Sequence, residues 1–223
     1  MSSRQEEKEQ RKREREERER AAAKEAKRKR LLQIIGGVVV GAAVVIGVVL
    51  AIAGGGGSDR PDDTKLLAAA KSAGCTVRNF PDFGRGHTDG ATKLTPANFK
   101  SNPPTSGEHD PNPAQDGVYA AGNEAEIQNW VHTLEHGRIL FQYKPGTTTR
   151  EIGQLQNLYN EPVLDSANGY HSVLMQNNTK MPFKVAAVAW RHFVGCQELT
   201  TGSIEAMRLF REVYVDQAPE KVP

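Results

Sequence analysis

An uncharged stretch of 23 residues, Leu31 to Ala53, sets the strongest limit on how this chain can fold. Its one strongly polar residue is Gln33. At about 1.5 Å per residue a helix of this length spans roughly 35 Å, which is enough to cross the hydrocarbon core of a bilayer. The stretch therefore predicts a single transmembrane helix. Gly37 and Gly41 form a G-x-x-x-G pattern on it, which can pair two such helices into a homodimer.

The charges around the apolar stretch predict its orientation in the membrane. Residues 27–30 read KRKR directly before it, whereas the first basic residue after it is Arg60. Because the flank rich in Lys and Arg stays in the cytoplasm, we expect the N-terminus inside the cell and the C-terminal part outside. Residues 51–53 read AIA, as before a signal-peptidase site, so a cleaved signal peptide is the alternative. Both the apolar run and the leader are long for one.

Composition divides the chain into four segments. Residues 1–30 carry 13 Lys and Arg against 8 Asp and Glu, and residues 54–223 carry 16 against 19. The first segment alternates acids and bases, which favours a charged helix that contacts lipid headgroups and argues against nucleic-acid binding. Residues 31–53 form the predicted transmembrane helix, and the Gly-rich residues 54–63 form a flexible linker. Residues 64–223 remain as one extracytoplasmic domain, long enough to bury a core.

Hydrophobic periodicity within residues 64–223 predicts an α+β fold. We expect a small mixed sheet packed by helices, preceded by one transmembrane helix and a charged N-terminal helix. Apolar positions three and four residues apart predict helices at residues 64–73, 123–136, 148–159 and 203–215. Alternating or continuous apolar runs predict strands at residues 138–143, 170–176, 183–190 and 191–196. Ser203 is expected to cap the last helix, and Asn123 with Glu126 the second.

Cys75 and Cys196 are the two cysteines of the chain, and both lie in the part expected outside the cell. Two cysteines in an oxidising compartment predict one disulfide. It would close a loop of about 120 residues, which on the chain-entropy model stabilises the fold by about 4–5 kcal/mol. A redox-active pair is the alternative, although the spacing is not C-x-x-C.

Residues 123–144, NEAEIQNWVHTLEHGRILFQYK, contain the clearest pattern for a functional site. They predict a helix that ends at Gly137 and is followed by a strand. His132 and His136 lie one helical turn apart and off the apolar stripe, so they share a face that can bind one cation or contact another loop. Histidines at this spacing are an ordinary arrangement for a metal ion, and Glu135 beside them adds a carboxylate ligand.

A stiff loop is expected to bring a third histidine to this face. Residues 102–109, NPPTSGEH, can be neither helix nor central strand, because two prolines fix φ and remove amide donors. Gly107 permits an unusual turn, so the loop can hold His109 rigidly. A surface turn with an incidental histidine is the alternative for this loop taken alone. His87, in an earlier loop, is predicted to be simply an exposed loop histidine.

The combination of NPPTSGEH, GVY and VHTLEHGRILFQYKPG resembles domain-of-unknown-function family 3105, a bacterial family of exported domains that follow a basic segment and one membrane helix. The resemblance covers about residues 98–215. It implies attachment to a bacterial cell membrane, and it marks His109, His132, Glu135 and His136 as the important positions. It implies no particular activity.

Three functions are compatible with these patterns. A membrane-tethered domain would bind copper or zinc through the three histidines of the two motifs and Glu135. A hydrolase of the H-x-x-E-H type would use Glu135 as a base, with Glu205 or Glu212 as a third metal ligand. A non-catalytic interaction domain with an unknown protein partner would use the histidines and Glu135 as a structural network. Metal binding is the prediction, and the residues leave open whether any reaction follows.

Overall fold

Residues 62–222, the part of the chain that the computed structural model describes, alternate short strands with amphipathic helices. The elements in chain order are α1 (Asp63–Ser72), β1 (Thr76–Asn79), β2 (Gly117–Val118), α2 (Ile127–Glu135), β3 (Ile139–Tyr143), α3 (Thr149–Asn160), β4 (Ser172–Gln176), β5 (Val185–Ala189), β6 (His192–Cys196) and α4 (Thr201–Tyr214). A short 3-10 turn, Pro96–Asn98, lies in the long connection between β1 and β2. The predicted α+β fold is confirmed.

The six strands form one mixed sheet in the order β1-β6-β5-β3-β4-β2. β3 and β4 pair in parallel, with Leu140 opposite Val173, and α3 makes the crossover between them. β2 also runs parallel to β4, whereas β1, β6, β5 and β3 pair antiparallel. The disulfide between Cys75 and Cys196 joins the start of β1 to the end of β6, as the sequence predicts.

Apolar clusters cover both faces of the sheet, and β3 contributes to both because its side chains alternate between the faces. Ile139 and Phe141 pack in one apolar cluster with residues of α1, α3 and α4. Leu140 faces the opposite way and packs in a second cluster with Trp130 and Leu134 of α2. Helix α2 therefore lies with its apolar stripe on the sheet, and its polar side faces the loop that contains His109.

Two of the predicted helix caps are wrong. Helix α2 begins at Ile127, so Asn123 lies outside it. The carboxylate of Glu126 accepts hydrogen bonds from Lys93 at 2.6 Å and from the side chain of Gln128 at 2.9 Å, and does not reach Asn123. At α4 the cap is Thr200, and Ser203 instead completes the capping box from the third helical position.

The charged N-terminal helix, the transmembrane helix and most of the linker were predicted within residues 1–61, which lie outside the described residues. Within residues 62–222, no helix is long and apolar enough to cross a membrane. Asp62 and Asp63, the last two residues of the predicted linker, already belong to the domain. The side chain of Asp62 caps α1, where it accepts hydrogen bonds from the backbone N–H groups of Thr64 and Lys65.

Candidate metal centre

Two loops without regular secondary structure pair with one another above α2. The backbone N–H of Gly107 donates to Gly84, and the N–H of His109 donates to Gly86, at 3.1 and 3.0 Å. Thr88 in turn donates its N–H to the carbonyl of His109 at 2.7 Å. This parallel pairing places His87 beside His109.

Four side chains from these loops and from α2 converge on one point. His87, His109, His132 and Glu135 each offer one ligand atom, and these atoms all lie within 4.8 Å of one another. We call these four residues the inner cluster. His109, His132 and Glu135 are buried, whereas His87 is exposed. The ring of His87 packs against those of His109 and His132 with centroids 4.9 Å apart in both cases.

Backbone carbonyls fix the tautomers of the two buried histidines. The Nδ1 of His109 lies 2.8 Å from the carbonyl oxygen of Gly107, and the Nδ1 of His132 lies 2.6 Å from that of Asp110. A carbonyl oxygen can only accept, so in each pair the ring nitrogen donates its hydrogen. In the neutral imidazoles the lone pair is therefore on Nε2, the atom that faces the cluster.

The contact between His109 and Glu135 in the inner cluster is not a well-formed hydrogen bond. The Nε2 of His109 lies 2.9 Å from the Oε2 of Glu135, and both side chains are about fully buried. Among the described residues, the Nε2 of His109 and the Oε1 of Glu135 have no hydrogen-bond partner. Two lone pairs at this distance repel, so either a proton on the carboxyl group of Glu135 or a metal ion is needed between the two atoms.

A second group shares one member with the inner cluster. His132, His136 and Glu220 also offer ligand atoms within 4.8 Å of one another, and we call them the outer cluster. The Nε2 atoms of His132 and His136 are 2.9 Å apart, and the Nε2 of His136 lies 3.3 Å from the Oε2 of Glu220. Because His132 keeps its hydrogen on Nδ1, the hydrogen between the two rings belongs to His136.

Burial favours the neutral forms of three histidines and one glutamate in the two clusters. It lowers the pKa of His109, His132 and His136 below the ordinary value for histidine. Burial is also the largest cause that raises the pKa of Glu135, and the nearby carboxylate of Glu220 raises it further. A neutral imidazole is the form that binds a metal ion, and a bound cation would offset the cost of ionising Glu135.

Comparison with known families agrees with the motifs. The family model for proteins of unknown function (DUF3105) matches residues 91–222. The chain belongs to this family. The match includes both motifs and Glu220, whereas His87 lies just before its first residue. Comparison with curated proteins and with solved structures found no match.

In this DUF3105 domain, three of the four predicted metal ligands come together. His109, His132 and Glu135 lie in the inner cluster, and His136 lies in the outer cluster, in contact with His132. His136 also borders two open cavities, of about 270 and 310 Å³. Neither Glu205 nor Glu212 belongs to either cluster, and Glu205 is paired with Arg208. The third ligand that the H-x-x-E-H interpretation requires therefore does not come from α4.

Two residues of the clusters had no role in the sequence prediction. His87 is placed by backbone pairing between two loops, and hydrophobic periodicity in the sequence does not predict such pairing. Glu220 follows the last helix and is held by a 3.1 Å hydrogen bond from its N–H to the carbonyl of Glu135. One signal was present for His87, since a histidine between glycine and threonine in a long Gly-rich loop is free to approach another loop closely.

Proposed function

We propose that this protein is a single-pass bacterial membrane protein whose extracytoplasmic domain binds a transition metal at the inner cluster. The membrane part of the proposal rests on the uncharged residues 31–53 and on the basic residues 27–30 before them. Gly37 and Gly41 within that stretch support pairing of two copies. The metal part rests on the chemistry of the inner cluster.

One observation carries the metal proposal. The two buried histidines of the inner cluster both donate Nδ1–H to backbone carbonyls of one loop, at Gly107 and Asp110. Metal-binding histidines typically hold their second nitrogen in this way, because the hydrogen bond orients the ring and leaves the other nitrogen as ligand. The two Nε2 lone pairs and the Glu135 carboxylate then form a preorganised set of three ligands, to which His87 adds a fourth.

Zinc and copper are the metals that this ligand set fits best. Neighbouring ligand atoms around tetrahedral zinc are about 3.3 Å apart when the zinc–ligand distance is about 2.0–2.1 Å. In the inner cluster, the separation of 2.9 Å between His109 and Glu135 and the upper limit of 4.8 Å for all ligand atoms lie on either side of this value. Imidazole nitrogens suit zinc and copper alike. Three nitrogen ligands disfavour calcium, which takes oxygen ligands, and the lack of sulfur disfavours a soft monovalent ion.

Metal content of the full chain tests the proposal. The protein is purified in detergent, incubated with zinc or copper, dialysed and measured by elemental mass spectrometry. About one ion per chain is expected in the wild type, and His109→Ala/His132→Ala should lose it. His192→Ala, which removes a half-buried histidine outside both clusters, should retain it. A wild-type protein that retains neither metal would overturn the proposal.

A structural network is the second candidate function. The hydrogen bonds of His109 and His132 to loop carbonyls would serve equally in an interaction domain that uses its histidines to hold the loop. Such a network, however, should satisfy its buried polar atoms, whereas among the described residues the Nε2 of His109 has no hydrogen-bond donor and faces only the carboxylate of Glu135. Folded apo-protein with unchanged stability after addition of zinc and copper would favour this second function.

A further inference from the structure

Two of the three residues of the outer cluster are at least partly exposed, whereas in the inner cluster His87 alone is exposed and the other three residues are buried. The side chain of Glu220 is 49% exposed and that of His136 is 13% exposed. The side chains of His109 and Glu135, by contrast, are 0% and 1% exposed. His136 also borders both open cavities, whose walls include residues of the C-terminal segment. A metal ion from solution can thus reach the outer cluster without passing through the buried ligands.

The outer cluster has the spacing of a metal site. Its two measured separations are 2.9 Å between the histidine nitrogens and 3.3 Å from His136 to Glu220. Both are close to the separation of about 3.3 Å between neighbouring ligands of tetrahedral zinc. Once the hydrogen of His136 moves from Nε2 to Nδ1, the site would offer three protein ligands and leave one coordination position to water or to an incoming carrier.

The C-terminal segment after α4 is anchored so that Glu220 stays beside His136. The N–H of Asp216 donates to the carbonyl of Gly137 at 2.9 Å, and the N–H of Glu220 donates to that of Glu135 at 3.1 Å. Arg138 donates a further hydrogen bond to the carbonyl of Val222 at 2.7 Å. These bonds tie the segment to the end of α2 and the start of β3, so the position of Glu220 is built into the fold.

The two clusters compete for one atom. His132 uses Nδ1 to donate to Asp110, so its Nε2 is its one ligand atom, and this atom belongs to both clusters. The Nε2 of an imidazole has one lone pair and binds one ion at a time. An ion bound at the outer cluster can move to the inner cluster by exchanging His136 and Glu220 for His109 and Glu135 while it stays bound to His132.

We propose that His136 and Glu220 form an exchange site, through which a divalent metal ion such as zinc enters and leaves the inner cluster by way of the shared Nε2 of His132. This inference rests on metal binding at the inner cluster as proposed above. On this inference, His136 and Glu220 affect the rate of metal transfer, whereas the ligands of the inner cluster determine how much metal the protein holds at equilibrium.

Release kinetics test the exchange site. The full-length protein in detergent is loaded with zinc, and transfer of zinc to an excess of a chromogenic chelator is followed by stopped flow. Glu220→Gln and His136→Gln should keep the zinc content of the wild type, while release slows by roughly tenfold, as expected when one ligand that stabilises the transfer is lost. Glu198→Gln, which removes an exposed carboxylate from outside both clusters, should release zinc at the wild-type rate.

Each other outcome has a separate meaning. If the variants retain zinc and release it at the wild-type rate, the ion exchanges by another route, such as the exposed His87, and the inference is overturned. If Glu220→Gln loses its zinc, the outer residues are equilibrium ligands, and the inference is also overturned. If the wild type holds no zinc or copper at all, metal binding itself fails. Glu220 is half-exposed, so its variant should fold even if the His136 variant does not.

Discussion

Replacing Gly137 by alanine tests whether the end of α2 and the C-terminal segment are in close contact. Gly137 has φ +83°, and a Cβ there would lie 2.8 Å from the Cα of Asp216 and 3.2 Å from its backbone nitrogen. The left-handed conformation costs an alanine about 1–2 kcal/mol. The clash with the backbone of Asp216 adds about 1–3 kcal/mol, since neither of the two backbone segments can move without losing hydrogen bonds. Gly137→Ala should therefore lower the free energy of unfolding by about 2–5 kcal/mol.

Gly146 offers a matched control for this substitution. It has φ +85°, almost the value of Gly137, but a Cβ there would meet nothing within 4 Å. Gly146→Ala should therefore show only the conformational cost of about 1–2 kcal/mol. The difference between the two variants isolates the contact with Asp216 from the effect of backbone conformation.

Tryptophan fluorescence in a urea titration provides the measurement. The two tryptophans of the chain, Trp130 and Trp190, are both buried in this domain, so their emission reports its unfolding separately from any membrane segment. Equal losses of stability at positions 137 and 146 would refute the close approach of the C-terminal segment. Unequal losses would also predict faulty placement of Glu220, because Gly137 accepts the hydrogen bond that anchors this segment.

Two further predictions concern stability. The disulfide closes a separation of 121 residues, so reduction should lower the free energy of unfolding by about 4–5 kcal/mol in urea titrations, and Cys75→Ala/Cys196→Ala should not respond to the reductant. Burial, and to a lesser extent Arg191, lowers the pKa of His192 to about 4. The folded state then binds fewer protons than the unfolded state, so stability should fall as the pH falls from about 6.5 to 4, by about 3 kcal/mol from this group. His192→Gln should show a smaller loss between these pH values, and an identical loss would contradict the assignment.

Local patterns in the sequence predicted the four helices and four of the six strands of the described residues, but missed β1 and β2, the short strands at the two edges of the sheet. The strand at residues 138–143 was predicted correctly, and Ile139 and Phe141 lie on one face of β3 because side chains alternate along a strand. The apolar stripe of α2 was predicted correctly for the same kind of reason. Helix starts were less predictable, because several residues before α2 can cap a helix and tertiary partners such as Lys93 decide which side chain is free to do so.

The candidate site was only partly predictable, because its residues come from different sources. His132, Glu135 and His136 are near neighbours in one helix, so spacing alone groups them. His109 was connected to them by its stiff loop. His87 and Glu220 depend on backbone hydrogen bonds between segments that carry no periodicity. Spacing in the sequence indicates which residues are close only within one helix or strand, so it does not predict residues such as His87 and Glu220, which hydrogen bonds between separate segments bring to the clusters.

The position of α2 links the candidate metal centre to the core. Trp130 and Leu134 hold the helix on the sheet, and His132 and Glu135, on its remaining surface, lie beneath the loop at residues 103–110. A side chain on this helix cannot shift without disturbing either the sheet contact or the loop. The loop at residues 103–110 is itself largely buried, and the hydrogen bonds that its carbonyls accept from His109 and His132 add to the contacts that order it. A metal ion bound to the inner cluster would thus stabilise the loops directly and the core through α2, so metal affinity and folding stability should vary together.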